Sequence, residues 1–451
     1  MPTLPLVSHT SPDSIVAWRA DGAVTRSQFL AEVRQLVAQL PTGAHLLNLC
    51  GDRYRFSVGL AAAIVAGKTS LLPSSHAPEV IRQIKDFAPD VFCLTDRDEC
   101  AVDLPRLRYP AVVPNAAYNE AVPQIDRRQR VAILFTSGST GIPQPHVKHW
   151  GALVSCVRAQ AARMDLPSAV SCTIVGTVPP QHMYGFESTV LIAWLTGNAL
   201  SPAHPFYPAD IAQALAEVPA PRVLVSTPVH LRAVLDSGTP LPETACILSA
   251  TAPLSVRLAQ DIETRCHTPL VEIYGSTETG VIATRRTTQG APWHLFPGIR
   301  LVADGDRTRA EGAHVDPPIL LNDVIENLDA EHFLLHGRLA DLVNIAGKRQ
   351  SLDSLNHILN TIPGVRDGAF YMPDETDPER ITRLAACVVA PELDAPRLLA
   401  ALRERIDPVF LPRPLLFLES LPRNSTGKLP RTALRALFSP RVATVPEPID
   451  E

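Results

Sequence analysis

A chain of 451 residues, 46% hydrophobic and 19% charged, has the length for a large body plus a smaller domain and the composition to bury a core, which excludes a disordered chain. A formal net charge of −5 gives no sign of a nucleic-acid-binding surface. The longest apolar run, near residues 56–67, is shorter than the ~20 residues a bilayer span needs, and no basic stretch followed by an apolar core opens the chain; a core helix and a cytoplasmic protein without a membrane partner are expected.

Taken in chain order, residues 25–40 read as a helix started by Thr25, and 45–50, 90–94 and 131–135 as strands. A helix over 150–164 follows, then strands at 172–178 and 222–226, a helix at 229–236, and a strand at 245–249. A helix over 254–266, with Pro253 as its start signal, precedes a strand at 270–274. This alternation predicts an α/β body of parallel sheets covered by helices, with ligands at the carboxyl ends of the strands. Beyond Arg338 the pattern changes to short strands near 367–372, 384–389 and 414–418 around helices at 351–361 and 395–406, which reads as a separate α+β unit. The expected domains are 1–337 and 338–451. The eight cysteines contain no C-x-x-C pair and read as buried thiols rather than disulfides or zinc ligands.

The most informative stretch is Thr136-Ser137-Gly138-Ser139-Thr140-Gly141, which closes the apolar run at 131–135. Glycines let backbone approach an anion, consecutive N–H groups form a nest for phosphate oxygens, and the hydroxyls add donors. By itself the stretch also reads as a solvated Ser/Gly turn, and it is not the common nucleotide loop, because neither Gly138 nor Gly141 has a glycine five positions on. A second turn, Tyr274-Gly275-Ser276-Thr277-Glu278-Thr279-Gly280, follows another apolar run. Gly337-Arg338 lies fifteen residues after Asp323, and Pro422-Arg423-Asn424-Ser425-Thr426-Gly427-Lys428 stands near the C-terminus.

These four motifs, in this order, resemble those of the adenylate-forming superfamily: acyl- and aryl-CoA synthetases, adenylation domains of peptide synthetases, and luciferases. The resemblance runs from about residue 24 to 438 and implies a large AMP-binding domain plus a small mobile α+β domain that carries a catalytic lysine. It implies ATP and Mg²⁺ as cofactors, a small-molecule carboxylic acid as substrate, and as acceptor the pantetheine thiol of CoA or of an acyl carrier protein. Residues 136–141 match the loop around the β- and γ-phosphates. Tyr274 matches the aromatic on adenine, within the nucleotide-binding turn that includes Gly275 and Ser276; Thr277 matches the α-phosphate hydroxyl and Glu278 the Mg²⁺ ligand. Thr251 and Ala252, in Ser249-Ala250-Thr251-Ala252-Pro253, match the strand end lining the adenine and acyl pocket. Asp323 and Arg338 match the two ribose contacts, and His182, in Pro179-Pro180-Gln181-His182, the histidine between acyl pocket and thiol path. Gly347 lies in a segment, 343–349, resembling the loop that faces the thiol, and Lys428 matches the lysine that bridges the attacking carboxylate and the α-phosphate.

Several positions depart from the family pattern. Gln144 stands where the phosphate loop usually has lysine, with Lys148 four residues on as a candidate substitute. Thr251 and its neighbour Ala250 replace glycines, and Ala340 stands where the hinge commonly has aspartate, with Asp341 next. No residue matches the aspartate that grips a substrate ammonium, which disfavours an amino acid. The small size resembles ligases of bacterial aryl-polyene pigment pathways in secondary metabolism, implying an aromatic acid such as a hydroxybenzoate. A medium- or long-chain fatty-acid ligase and a degenerate, non-catalytic ATP-binding relative are the alternatives. Lys348, Arg349, Arg423 and Arg431 are a candidate basic patch for an acidic carrier.

Overall fold

The structure, a computed structural model, describes residues 2–73, 75–100, 102–111, 121–137, 143–166, 170–305, 307–338, 342–345, 348–373, 383–424 and 427–438. Thr25 starts the first helix, Arg26–Val37, through a capping box: its hydroxyl accepts from the Gln28 amide at 3.2 Å and the Gln28 side chain accepts from the Thr25 amide at 2.9 Å. Such a cap contributes about 1 kcal/mol. The apolar run near 56–67 is the core helix Arg53–Val65, capped by Asp52. Ser255, not Pro253, caps the helix Val256–Cys266: its hydroxyl accepts from the Leu258 amide, a bond that proline at 253 cannot replace.

The chain divides into two compact units, residues 1–321 with 325–335, and 322–324 with 336–451. Two sheets organise the first. A six-stranded sheet has the order Pro143–His149, Arg130–Ser137, Thr69–Leu72, His45–Asn48, Phe92–Thr95, Arg106–Arg108; all neighbours are parallel except the first pair. The second sheet is centred on the parallel strands Leu270–Ser276, Cys246–Ser249, Arg222–Ser226 and Thr173–Gly176, and turns antiparallel at Gly280–Arg285 and Trp293–Leu295. Thr69–Leu72, Phe92–Thr95, Thr173–Gly176 and Cys246–Ser249 are buried at every position, as strands covered on both faces must be. Residues 90–94, 172–178 and 245–249 therefore read in sequence as apolar strand-like runs, whereas 69–72 opens on the polar Thr69 and Ser70 and is not marked in that way. A three-stranded antiparallel sheet, Arg300–Asp304, Arg307–Gly312 and Val315–Leu320, completes this unit.

The second unit has a hairpin, Leu342–Ile345 with Lys348–Ser351, and a three-stranded sheet of Asp367–Tyr371, Ala385–Val389 and Leu415–Phe417. Helices Leu352–Thr361 and Ala395–Arg403 pack on its core around Leu355, Leu359, Phe370, Leu398 and Leu402. All eight cysteines are free thiols, Cys100 and Cys266 partly exposed and the rest buried. No helix among the described residues is long and apolar enough to cross a membrane.

Candidate active site

The strand Leu270–Ser276 delivers the second motif at its carboxyl end. Gly275 is required there, because a Cβ would stand 2.1 Å from the Gly280 carbonyl oxygen. Ser276 and Thr279 close the turn: the Ser276 amide donates to the Thr279 hydroxyl at 3.1 Å and the Thr279 amide to the Ser276 hydroxyl at 3.2 Å. Tyr274 is half-buried, its ring 5.6 Å from Trp293 and 5.5 Å from Phe333. Thr277 and Glu278 project from the turn, the Glu278 side chain 35% exposed. Burial pushes the Glu278 carboxyl up, but the Ser276 hydroxyl, its own amide, His146 and Lys148 outweigh burial and hold it below the usual carboxylate range. It is ionised at neutral pH.

The first motif leaves the other sheet. Arg130–Ser137 runs up to it and Pro143–His149 returns, pairing Thr136 opposite Gln144 and Leu134 opposite His146. The Thr136 hydroxyl lies 2.9 Å from His146 Nε2, and that nitrogen is 3.8 Å from Glu278 Oε1. The first motif's hydroxyl and the second motif's carboxylate, carried by separate sheets, therefore meet at one imidazole. Lys148, two residues on and so on the same strand face, is buried and donates from Nζ to the Glu278 carbonyl at 3.2 Å. Its ammonium is committed to the second motif. Residues 138–142, with Gly138, Ser139, Thr140 and Gly141, lie outside the described residues, as does the Ser137 side chain.

At the neighbouring strand ends, Gly185 allows the turn that carries His182, since a Cβ there would stand 2.0 Å from the Pro179 carbonyl oxygen. Tyr184 pins this turn, its hydroxyl 2.9 Å from the carbonyl oxygens of both Ser226 and Leu248. Arg53 braces the same region from beneath, donating at 2.8 Å to the carbonyls of Gly176 and Val178. Thr251 has φ +79°, a left-handed conformation that a β-branched residue adopts only under strain. Thr251 and Ala252 are half-buried, and the loop is anchored where the Leu254 amide donates to the buried Glu272 at 3.3 Å.

In the second unit the Lys428 segment is a tight loop: the Asn424 amide donates to the Lys428 carbonyl at 2.8 Å, and the Asn424 side chain accepts from the Lys428 amide at 2.9 Å. Arg423 anchors it, with a two-pronged bond to Asp367 at 2.9 and 2.8 Å and a third to the Gly427 carbonyl at 3.0 Å. The guanidinium is thus spent inside the unit, which corrects its place in the expected basic patch; the Lys348 and Arg349 side chains lie outside the described residues. Asp323 opens the strand Asp323–Asn327 and groups with this unit. Only glycine fits at 337, with φ +110° and a Cβ position 2.2 Å from Ser351 Oγ. The Arg338 side chain, Ala340, Asp341 and Gly347 lie outside the described residues.

The model of the family described as AMP-binding enzyme matches residues 44–309, more than half of the chain. The chain belongs to the AMP-binding enzyme family. It is an AMP-forming acid–thiol ligase of the acyl- and aryl-CoA synthetase type. It is 29% identical over 300 residues to a 4-coumarate–CoA ligase of Rhodobacter capsulatus, covering 66% of this chain and 74% of that one. It is 23% identical over 355 residues to a 4-chlorobenzoate–CoA ligase of an Arthrobacter species, covering 70% and 67%. In fold it resembles the o-succinylbenzoate CoA synthetase of Bacillus subtilis solved with its acyl-adenylate, with TM-score 0.80, 18% identity, and 96% and 99% of the two chains covered.

A metal ion accompanying ATP needs one or two carboxylates, the remaining ligands being phosphate oxygens and water. Glu278 meets that requirement: it is ionised, partly exposed, and 3.8 Å from the imidazole that the first motif's hydroxyl also contacts. The ligase has no cluster of three or more His, Cys, Asp or Glu side chains suited to a metal among its described residues, so such an ion would depend on the nucleotide for its remaining ligands. Sequence reasoning missed His146, Arg53 and Tyr184. His146 lies in Pro143-Gln144-Pro145-His146, where two prolines argue against a strand.

Proposed function

We propose that this ligase joins an aromatic carboxylic acid, such as a hydroxybenzoate, to the pantetheine thiol of CoA or of an acyl carrier protein through an acyl-adenylate. The acid's carboxylate oxygen attacks the α-phosphorus of ATP and pyrophosphate leaves; the thiol sulfur then attacks the acyl carbon, AMP leaves, and the thiol proton passes to solvent. The observation that carries this reading is the meeting of Thr136, His146 and Glu278, at 2.9 and 3.8 Å, where the paired strands flanking the first motif reach the turn of the second. The named acids of the aromatic CoA ligases it is similar to support the choice of acid.

In this reading Thr136 and the rest of the first loop hold the β- and γ-phosphates, Tyr274 stacks on adenine, and Asp323 and Arg338 hold the ribose. Thr277 donates to the α-phosphate and Glu278 holds Mg²⁺, which offsets phosphate charge as it builds. Lys428 supplies an ammonium to the same charge in the first half-reaction. His182 and the Gly347 segment serve the thiol half-reaction, with the second unit rotating between the two. The test is acid-dependent exchange of pyrophosphate into ATP over hydroxybenzoates, cinnamates and medium- and long-chain fatty acids. Exchange with the aromatic acids is expected. Exchange with fatty acids alone overturns the choice of acid, and exchange with none overturns the catalytic reading.

A further inference from the structure

Thr136 Oγ1, His146 Nε2 and Glu278 Oε1 belong to three strands or turns of the first unit and converge with spacings of 2.9 and 3.8 Å. Ligand atoms bound about 2.1 Å from an octahedral ion stand about 3.0 Å apart when adjacent and about 4.2 Å when opposite. The 3.8 Å between His146 Nε2 and Glu278 Oε1, the two proposed ligand atoms, lies between those two values, and the 2.9 Å from Thr136 to His146 falls just under the lower one. The pair is also built rather than incidental. His146 and Lys148 alternate onto one face of Pro143–His149, and each takes a different part of Glu278: Lys148 its backbone carbonyl at 3.2 Å, His146 its carboxylate. A residue held at both its backbone and its side chain by a paired strand has its carboxylate direction set before any ligand arrives. Strand pairing fixes His146 in turn, opposite Leu134 in Arg130–Ser137.

We infer that His146 is a nitrogen ligand, beside Glu278, of the divalent cation that enters with ATP, and that the site therefore prefers Mn²⁺ to Mg²⁺. The inference rests on the ATP-dependent reading above. Mg²⁺ is a hard ion that takes oxygen ligands and holds its waters, whereas an N/O donor set gains affinity along the first transition row, beginning with Mn²⁺. The Thr136 hydroxyl lies 2.9 Å from Nε2 in the absence of the ion and gives up that contact when the ion binds.

The test uses the full chain with Mn²⁺ and α,β-methylene-ATP, which cannot be cleaved at the reacting phosphorus. Pulsed electron paramagnetic resonance reads nitrogen on the bound ion, and growth on ¹⁵N-histidine separates protein nitrogen from that of the nucleotide. A coupling that changes with ¹⁵N-histidine is expected in the wild type and is expected to vanish in His146→Val, with at least a ~10-fold loss of Mn²⁺ affinity and a smaller loss for Mg²⁺. Valine suits the strand position; should that variant not fold, the isotope-sensitive coupling in the wild type still decides. Mn²⁺ and nucleotide bound without histidine nitrogen, or His146→Val with an unchanged Mn²⁺ to Mg²⁺ ratio, overturns this inference alone. Failure of the wild type to bind Mn²⁺ with the nucleotide overturns the ATP-dependent reading along with it.

Discussion

Glu187 offers the most direct physical test of how the second motif is supported. It lies in the π-helical turn Phe186–Leu191, fully buried, with neither carboxylate oxygen at hydrogen-bonding geometry to a partner. It stands directly behind Gly280, where a Cβ would be 3.0 Å from its Oε1. Burial pushes the Glu187 carboxyl from 4.5 up to about 7, although Lys148, the Cys156 thiol and the Val281 backbone pull the other way. At about 1.4 kcal/mol for each tenfold change in proton affinity, that difference amounts to about 3 kcal/mol. Between pH 4.5 and 7 the folded chain holds a proton that the unfolded chain has released, so stability is present below 4.5 and lost as pH rises through 7. Glu187→Gln has no proton to lose. Relative to wild type it should gain about 3 kcal/mol between pH 4.5 and 8, a shift of several degrees in unfolding temperature for a body this large. Thermal unfolding followed by tryptophan fluorescence is the assay, because Trp18, Trp150, Trp194 and Trp293 all lie in the first unit. A difference between the two proteins that stays constant with pH, or grows toward acid, would refute the reasoning.

Three further outcomes are expected, the first from the proposed function and the other two from the geometry. Lys428→Ala should slow acyl-adenylate formation by ~10²–10³ while leaving thioester formation from synthetic adenylate near wild type, as separate rapid-quench assays of the two half-reactions would read; equal losses in both contradict a role confined to the first. Thr251→Gly should relieve strain of about 1–3 kcal/mol against about 0.5–1 kcal/mol of added chain entropy, so a small net rise in unfolding temperature is expected, and a clear fall would mean that the threonine side chain holds the pocket. Arg423→Ala removes a charged two-pronged bond and the Gly427 anchor; about 2 kcal/mol of destabilisation of the second unit is expected by hydrogen exchange, and unchanged protection across Asp367–Tyr371 would argue against the anchor.

The parallel strands were legible because burial on both faces leaves no polar alternation: 222–226 matches its element end to end, and 131–135 and 270–274 fall inside theirs. Thr25 was legible because a cap is a local hydrogen bond between near neighbours. His146 was not, because its meaning is a contact with Glu278, 132 positions away in sequence and on another sheet. Arg53 reads in sequence as one more surface arginine at a helix start, and only the placement of that helix under Gly176 shows it to be buried. Glu187 likewise follows an apolar run without any local mark of burial. Thr251 shows a third kind of gap: the replacement of glycine was visible, but only the backbone angle shows that the threonine stands in the left-handed conformation that glycine adopts without strain.

The return strand Pro143–His149 has a consequence beyond the site it serves. It forms one edge of the six-stranded sheet, where a row of unpaired backbone donors would invite a strand from another molecule. Pro143 and Pro145 lack an N–H, and proline fits an antiparallel pair only where its nitrogen faces away from the neighbouring strand. The outward row therefore lacks donors at two successive positions, although Val147 leaves an exposed apolar side chain there. The prolines that disguise this segment as a loop also guard it against intermolecular strand addition. Replacing both would be felt first as aggregation in concentrated solution, before any loss of nucleotide binding.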